Sequence, residues 1–232
     1  MCGLWGGFST YLSEKESEFV ITMGELSFLR GRDSTGVVSV CKKGFGSAAQ
    51  YNTRTIRAMG DPVNFFSRVQ PVKKFLEETK DRCALFGHNR LATIGDKTLE
   101  NAHPINYESI LLCHNGTVPA FSDDTSDKSD SYFIAKSIVE KGFEETIKKI
   151  NYGAAALVWL DKSKNTLNLF KNPRRPLFVG TIGNNNTWFW ASEKWILQVA
   201  ELQTRLKLKE IHEVPDHQLI TFSLSSTTPS TR

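Results

Sequence analysis

Short apolar runs of strand length recur along nearly the whole chain, and they constrain its fold more than any other feature. They are separated by polar turns and by a few segments with helical spacing, without any internal repeat. The runs lie at residues 4–12, 36–41, 83–87, 110–113, 154–160, 166–171, 177–181, 187–191, 206–213 and 218–224. Many strands, few helices and short connections predict sheets packed face to face with helices on the outside.

Apolar residues recur at helical spacing in a smaller set of segments. These predicted helices cover residues 24–30, 61–79, 130–141, 143–150 and 193–201. A chain of 232 residues fits one compact domain, which we place at residues 2–224. Serine and threonine dominate the stretch 225–232, so we predict a disordered tail there.

The charge and hydropathy of the chain exclude several classes of partner. Its 29 basic and 25 acidic residues are mixed along the sequence and leave a net charge of only +4, whereas proteins that bind nucleic acids or anionic membranes concentrate basic residues. No stretch approaches the ~20 apolar residues of a membrane span, and the N-terminus lacks the pattern of a signal peptide. We therefore expect a cytoplasmic protein with no nucleic-acid or membrane partner, and we expect no metal or cofactor.

One of the four cysteines differs from the others. Cys41, Cys83 and Cys113 lie inside apolar strand-like runs, and we interpret them as small buried side chains. The sequence contains no CxxC pair, so all four are expected to remain thiols in a reducing compartment. Cys2 follows Met1 directly and lies outside any periodic pattern, which singles it out as a candidate nucleophile.

Removal of Met1 would make Cys2 a nucleophile that carries its own base. A thiol attacks as the thiolate, and the pKa of a free cysteine is about 8.5. The α-amine that Met1 removal exposes has a pKa of about 7.7–8.0, so it accepts the thiol proton near neutral pH. Cysteine is also small enough for methionine aminopeptidase to accept at the second position. The simpler alternative is a second-position cysteine without a function.

A possible oxyanion hole follows the apolar run 110–113. Attack on an amide carbonyl creates an oxyanion that needs two fixed N–H donors about 3 Å away. The side-chain amide of Asn115 and the backbone N–H of Gly116 can supply them, because glycine allows close approach of the backbone. The alternative for this Asn-Gly pair is an ordinary turn.

Two charged residues can anchor an amino-acid substrate. Arg90 lies in the segment 87–93, just after a predicted strand, where a guanidinium can bind a carboxylate through two hydrogen bonds. Asp130 begins a predicted helix and can bind an ammonium group. The alternatives are a surface salt bridge for Arg90 and a helix N-cap for Asp130.

The glycine-containing segment 30–36 can bend toward the nucleophile. Gly31 and Gly36 allow the bend, and Arg30 and Asp33 can pair to hold it. Together, these candidate elements describe one task, since an amino-acid amide offers a carboxylate, an ammonium group and a scissile amide. Cys2 would attack the amide while Arg90 and Asp130 hold the other two groups.

An ordered set of motifs resembles the glutaminase domain of class II glutamine amidotransferases, which are N-terminal-nucleophile (Ntn) hydrolases. It is most similar to the sugar-aminating branch, as in glutamine–fructose-6-phosphate aminotransferase. The resemblance covers residues 2 to about 222. The motifs are MCG (1–3), RGRDSTG (30–36), GHNRLAT (87–93), AHP (102–104), HNG (114–116) and SD (129–130), followed by GAAALVWLDK (153–162), RRPLFVG (174–180) and WASE (190–193).

The resemblance implies an α+β fold, a four-layer αββα sandwich of two mainly antiparallel sheets. It implies that Cys2 forms a γ-glutamyl thioester with L-glutamine and that ammonia and then glutamate are released. The roles it implies for individual residues are oxyanion hole for Asn115 and Gly116, glutamine binding for Arg90, Thr93, Asp130 and Arg30, and support of the site for Gly31, Asp33 and His103.

The chain departs from the sugar-aminating branch at three positions. Leu91 and Ile94 stand where tryptophan and histidine are usual, and Arg32 replaces a usual aromatic residue. The length leaves no room for a synthase domain, so we expect ammonia to pass to a separate synthase partner. Two alternatives remain open: an autonomous amidase acting on another γ-glutamyl or amino-acid amide, and a catalytically silent binding or regulatory protein of the same fold.

Overall fold

The computed structural model of the protein describes residues 1–44, 49–68, 70–77, 81–123, 125–183 and 187–232. Six helices are found among these residues: α1 (Glu14–Leu26), α2 (Pro62–Arg68), α3 (Gln70–Glu77), α4 (Asp130–Lys141), α5 (Phe143–Ile150) and α6 (Lys194–Thr204). The strands are β1 (Gly3–Ser9), β2 (Ser34–Lys43), β3 (Gln50–Met59), β4 (Arg82–Arg90), β5 (Ile105–Tyr107), β6 (Ile110–Thr117), β7 (Ala154–Asp161), β8 (Thr166–Lys171), β9 (Phe178–Ile182), β10 (Thr187–Ala191), β11 (Ile211–Glu213), β12 (Leu219–Ser223) and β13 (Ser230–Thr231).

The strands form two sheets, and each described pair of neighbouring strands is antiparallel. One sheet has the order β11-β9-β10-β1-β4-β2-β3, and the other has the order β13-β12-β8-β7-β6-β5. β1 is therefore an interior strand, bordered by β10 on one side and β4 on the other. β1, which begins directly after Cys2, is thus held on both sides by backbone hydrogen bonds.

Alternation of side chains along each strand produces the layers. In β1, Leu4 and Phe8 belong to the core between the sheets, whereas Trp5 belongs to the core under the helices. β4 alternates in the same way, with Phe86 on the inner face and Leu85 on the helix side. This period of two places even-numbered residues of β1 and β4 on the face that looks toward the second sheet.

Helices cover the outer face of each sheet. The first sheet is covered by α1 and α6, whose buried residues share a core with Trp5 and Leu85. The second is covered by α4 and α5 through Ile134, Ile138 and Ile150. The result is a four-layer αββα arrangement of the α+β class, as predicted.

The structure extends two strands beyond their predicted ends. Residues 88–90 and 114–117 were expected to be loops, but they continue β4 and β6. The end of β4 is buried, as are His114 and Asn115, because these residues lie where the two sheets meet around Cys2, whereas Gly116 and Thr117 are partly buried. The sequence cannot show this, since a polar stretch after an apolar run is usually a turn.

Other segments also differ from expectation. Only 24–30 was predicted as helix before β2, whereas α1 begins at Glu14. β3 was missed, because it is a polar strand at the edge of its sheet and lacks an apolar run. The predicted helix 61–79 is divided into α2 and α3, and its residues 69, 78 and 79 lie outside the described part of the chain.

The C-terminal segments also depart from the predicted pattern. Within the predicted strand 206–213 only β11 is formed. The expected disordered tail 225–232 contains β13, which pairs with β12. A two-residue strand carries no apolar signal of its own, which explains why composition missed it. Across the described ranges, no helix is both long and apolar enough to span a membrane.

Candidate active site

Cys2 lies directly before β1, with its side chain almost entirely buried. The backbone N–H of Leu91 donates a hydrogen bond to Sγ at 3.3 Å, and Sγ lies 3.4 Å from the Leu91 carbonyl oxygen. Burial raises the pKa of the Cys2 thiol, and this outweighs the opposing effects of the Leu91 N–H and the nearby positive charges. While Met1 is attached, the sulfur is therefore a neutral thiol and a poor nucleophile.

Arg30 fixes the backbone of the candidate nucleophile. Its Nε donates to the Cys2 carbonyl oxygen at 2.7 Å, and its guanidinium forms a buried ion pair with Glu193. The expected pair between Arg30 and Asp33 is wrong. Glu193 takes that place because the turn after β10 brings it to the buried guanidinium.

Asp33 instead holds the loop that follows β4. Its carboxylate accepts hydrogen bonds from the Ala92 N–H and from Lys97 Nζ, each at 2.8 Å. Partial burial raises the pKa of Asp33, but the bonds from Lys97 and Ala92 lower it by more, so the net shift is downward. Asp33 therefore supports the site through the loop and not through Arg30.

The two glycines of segment 30–36 are needed for close approach. A Cβ on Gly31 would lie 2.5 Å from the carbonyl oxygen of Asn89, and one on Gly36 would lie 2.0 Å from that of His103. No side chain fits at these distances. Gly31 supports the site by letting its segment approach the end of β4, whereas Gly36 lies inside β2 and does not form the expected bend.

Asn115 and Gly116 lie within β6 and not in a turn, so the turn alternative is wrong. The Nδ2 of Asn115 donates to Ser192 Oγ at 3.4 Å, and the same oxygen accepts the Leu4 N–H at 2.8 Å. Ser192 thus connects the strand of Cys2 with the strand of the candidate oxyanion donors. A Cβ on Gly116 would lie 1.8 Å from the Ala154 carbonyl oxygen, so β7 leaves room only for glycine.

Arg90 ends β4 and organises the loop beyond it. Its guanidinium donates to the carbonyl oxygens of Ile94 and Asp96 at 2.8 Å, and of Gly95 at 3.2 Å. Thr93 is exposed in this loop, with Oγ1 3.3 Å from Thr117 Oγ1. Arg90 is buried, so the alternative of a surface salt bridge is wrong.

Asp130 is the first residue of α4, and Ser129 occupies the N-cap position expected for it. The buried carboxylate accepts the Val118 N–H at 2.9 Å and the Ser131 N–H at 2.8 Å. These bonds hold the carboxylate beside β6, where it lines the same cavity as Cys2.

Three buried histidines surround the base of the site. His88 and His103 stack with ring centroids 4.1 Å apart, and the ring nitrogens of His103 have no hydrogen-bond partner among the described residues. Burial lowers the pKa of all three, that of His88 to about 3. His88, His114, Ser192 and Glu193 were not predicted as site residues. Their motifs were visible, but a sequence does not show which buried side chains meet.

One small cavity brings most of the predicted residues together. Its lining includes Cys2, Arg90, Thr93, His103, Gly116 and Asp130. Its volume of about 10 Å³ is close to that of one water molecule. Asn115 does not line it, and its amide is directed toward Ser192. The arrangement can place a nucleophile, a backbone N–H donor, a cation and a carboxylate around one small substrate.

Comparisons by sequence find curated relatives that share one name, and no family model matches the chain. The chain is 28% identical over 242 residues to glutamine–fructose-6-phosphate aminotransferase of Staphylococcus epidermidis, covering 95% of this chain and 35% of the relative. The enzyme of the same name from Bacillus subtilis is 24% identical, with 95% and 37% covered. The chain thus spans about a third of the length of these relatives.

Comparisons by structure agree on the fold. The allosteric regulatory enzyme of purine biosynthesis superposes with a TM-score of 0.69 at 18% identity, over 100% of this chain and 48% of that one. Glutamine phosphoribosylpyrophosphate amidotransferase from B. subtilis gives a TM-score of 0.64 at 19% identity, over 100% and 49%. Together with the sequence relatives, these matches confirm the resemblance drawn from the motifs.

Proposed function

We propose that this chain, a class II glutamine amidotransferase domain, hydrolyses L-glutamine to glutamate and ammonia once Met1 has been removed. The observation that carries the proposal is the convergence of Cys2, Gly116, Arg90 and Asp130 on one cavity. These residues come from different strands and from a helix start. At the cavity they can bind the carboxylate, the ammonium group and the side-chain amide of an amino-acid amide.

Removal of Met1 activates the thiol in this proposal. Met1 is 61% exposed, which leaves it accessible to an aminopeptidase. Cleavage frees the α-amine of Cys2, which takes the proton from its own Sγ, and the thiolate attacks the side-chain carbonyl carbon of glutamine. The Leu91 N–H, 3.3 Å from Sγ, favours the anionic sulfur.

The oxyanion formed by this attack is stabilised by donors on β6. The N–H of Gly116 and the second hydrogen of Asn115 Nδ2 serve this role, while the first hydrogen stays on Ser192. Collapse of the tetrahedral intermediate breaks the C–N bond, and the α-amine returns its proton to the departing nitrogen as ammonia. Water then cleaves the γ-glutamyl thioester, giving glutamate and the free thiol.

Substrate anchoring follows from the charges that flank the cavity. Arg90 pairs with the α-carboxylate and Asp130 with the α-ammonium group, with Thr93 at the cavity edge. Because the cavity has room for little more than a water molecule, glutamine enters only if the loop after β4 moves. Such a movement changes the hydrogen bonds of Arg90, because its guanidinium binds three carbonyl groups of that loop.

The ammonia released is proposed to reach a separate synthase partner. The curated relatives are named as aminotransferases of a sugar phosphate, and this chain covers only about 35% of such a relative. The remaining two thirds of their length has no counterpart in these 232 residues. A partner protein that binds the acceptor would let ammonia react with the acceptor before it escapes into water.

A direct assay tests the proposal. Protein shown by intact mass to lack Met1 is incubated with glutamine, and glutamate and ammonia are measured, with and without cell extract as a source of partner. We expect turnover that Cys2→Ala abolishes, while Cys41→Ala leaves it intact as the matched thiol control. Absence of turnover in both conditions contradicts the proposal.

A second candidate is an amidase acting on another γ-glutamyl or amino-acid amide. Leu91 and Ile94 favour it, because they present apolar side chains to the cavity at positions where the sugar-aminating branch usually has tryptophan and histidine. A panel of amides decides between the two. This candidate requires that glutamine be a poorer substrate than another member of the panel.

A further inference from the structure

A buried imidazole connects the two sheets directly behind the proposed oxyanion hole. The side chain of His88 leaves β4 on the inner face, and Nε2 lies 2.9 Å from the backbone carbonyl oxygen of His114 in β6. His88 is fully buried. Because a carbonyl oxygen can only accept, Nε2 must carry the proton, so the ring is the neutral Nε2–H tautomer.

The carbonyl group that His88 binds belongs to the peptide unit that leads into Asn115. β5 pairs with β6 only from Ile110 to Leu112, so from Cys113 onward β6 has β7 as its one strand neighbour. The bond from His88 therefore fixes the free side of the strand at the position where the oxyanion donors begin. On the first sheet, His88 pairs with Leu4 and lies close to Cys2 along the strands.

A second histidine carries the connection on to the substrate anchor. His114 faces the helix layer, where Nδ1 lies 3.0 Å from Ser131 Oγ, and this hydroxyl lies 3.3 Å from Asp130 Oδ1. The hydroxyl lies within hydrogen-bond distance of both groups and so connects the His114 ring with the carboxylate. This series of contacts runs from the nucleophile's sheet through β6 to the carboxylate at the start of α4.

We propose that His88 is a positioning residue of the glutaminase reaction: its Nε2–H sets the distance between the sheet that carries Cys2 and the strand that carries Asn115 and Gly116. The role rests on the proposed function, since it concerns the same oxyanion. His88 does not line the cavity and touches no reacting atom. Its effect is on the alignment of the donors, which matters most in the transition state.

Two substitutions separate this role from simple packing. In glutamine, the amide nitrogen is the same number of bonds from Cα as Nε2 of histidine, whereas in asparagine it matches Nδ1. His88→Gln therefore retains a donor for the His114 carbonyl, and His88→Asn loses it while remaining polar. We expect His88→Asn to lower kcat by about 30-fold or more with KM changed less than about 3-fold, and His88→Gln to restore most of kcat.

Three of the measurements do not depend on glutamine turnover. Circular dichroism and thermal unfolding establish that each variant is folded, and ¹⁵N histidine NMR at pH 7 reports the tautomer of His88 without any substrate. Absence of glutamine turnover in the wild type overturns the proposed function. The NMR measurement still shows in that case whether His88 Nε2 carries the proton that the bond to the His114 carbonyl requires. An Nδ1–H tautomer, equal losses in both variants, or a folded His88→Asn with unchanged kcat overturns the inference.

Discussion

At the scale of single residues, the site depends on polar groups that orient the reacting groups from a distance. Ser192 shows this best, because its Oγ binds both the backbone of β1 and the amide of Asn115. The sequence predicted a nucleophile and its donors, since these have recognisable residue types, and the structure brings Cys2, Arg90, Gly116 and Asp130 to one cavity. The sequence did not identify Ser192, Glu193 or His88, because their roles arise only when β10, β1 and β4 pair.

The role of Ser192 leads to a testable expectation. Asn115→Ala removes a proposed oxyanion donor and is expected to lower kcat by about 100- to 1,000-fold with little change in KM. Ser192→Ala leaves that donor present but unoriented, so we expect a loss of about 10-fold, because a misdirected donor loses only part of its effect. Steady-state kinetics with glutamine measure both.

The matched control is Ser137→Ala, which removes a buried hydroxyl of α4 that is hydrogen-bonded to Thr146 of α5 and does not line the candidate site. This variant is expected to retain the wild-type kcat. In the Asn115→Ala background, Ser192→Ala should add no further loss, because the amide that it orients is absent. Additive losses would contradict the idea that Ser192 acts through Asn115.

At the scale of elements, the success of prediction follows the strength of the apolar pattern. α4 and α5 were predicted with their observed bounds, because each buries an apolar stripe and Gly142 separates them. β3 was missed because an edge strand need not be apolar. The beginning of α1 was missed although its signal is present, since Ser13 and Glu16 have the spacing of a capping box.

That capping box gives a prediction for α1. Ser13 Oγ accepts the Glu16 N–H at 3.2 Å, and Glu16 in turn accepts the Ser13 N–H at 2.7 Å. Ser13→Ala is expected to lower the free energy of unfolding by about 1 kcal/mol, because an N–H at the helix start loses its acceptor. Urea unfolding measures the change, and Ser13→Asp, which restores an acceptor, should recover most of it. A stability unchanged in Ser13→Ala would show that water replaces the cap.

At the scale of the whole molecule, the fold class was predictable and the meeting of its parts was not. Apolar runs of strand length predict strands with buried side chains on both faces of a sheet, and packed sheets with helices outside provide this burial. Near Cys2, however, the interior between the sheets is polar, with His88, His103 and His114 buried together near Arg30 and Arg90. Hydropathy carries no information about such a cluster, because each of its members reads as a surface residue.

This buried cluster makes stability depend on pH. Burial lowers the pKa of His88 to about 3, and those of His103 and His114 also fall below 6.5. The unfolded chain therefore binds protons that the folded protein does not, so stability is full above about pH 6.5 and falls as the pH decreases toward 3. For His88, the loss between pH 7 and 4.5 is about 2 to 3 kcal/mol.

Urea unfolding at several pH values tests this expectation. His88→Gln removes one titrating group while retaining the bond to β6, so its free energy of unfolding should fall less steeply with acid than that of the wild type. Identical slopes would mean that His88 does not resist protonation in the folded state. A rise in stability toward pH 4.5 would contradict the assignment of all three as neutral.

The pairing of β1 with β10 also determines when the Cys2 side chain becomes buried during biosynthesis. β1 is made well before its neighbour β10, which is complete only when Ala191 has been added. At roughly 5–20 residues per second, synthesis reaches that point after about 10 to 40 s. Until then β1 lacks its neighbour on that side and can pair only with β4. The order of the strands thus leaves an interval in which the Cys2 side chain is not yet enclosed, whereas Met1 stays exposed in the folded chain as well.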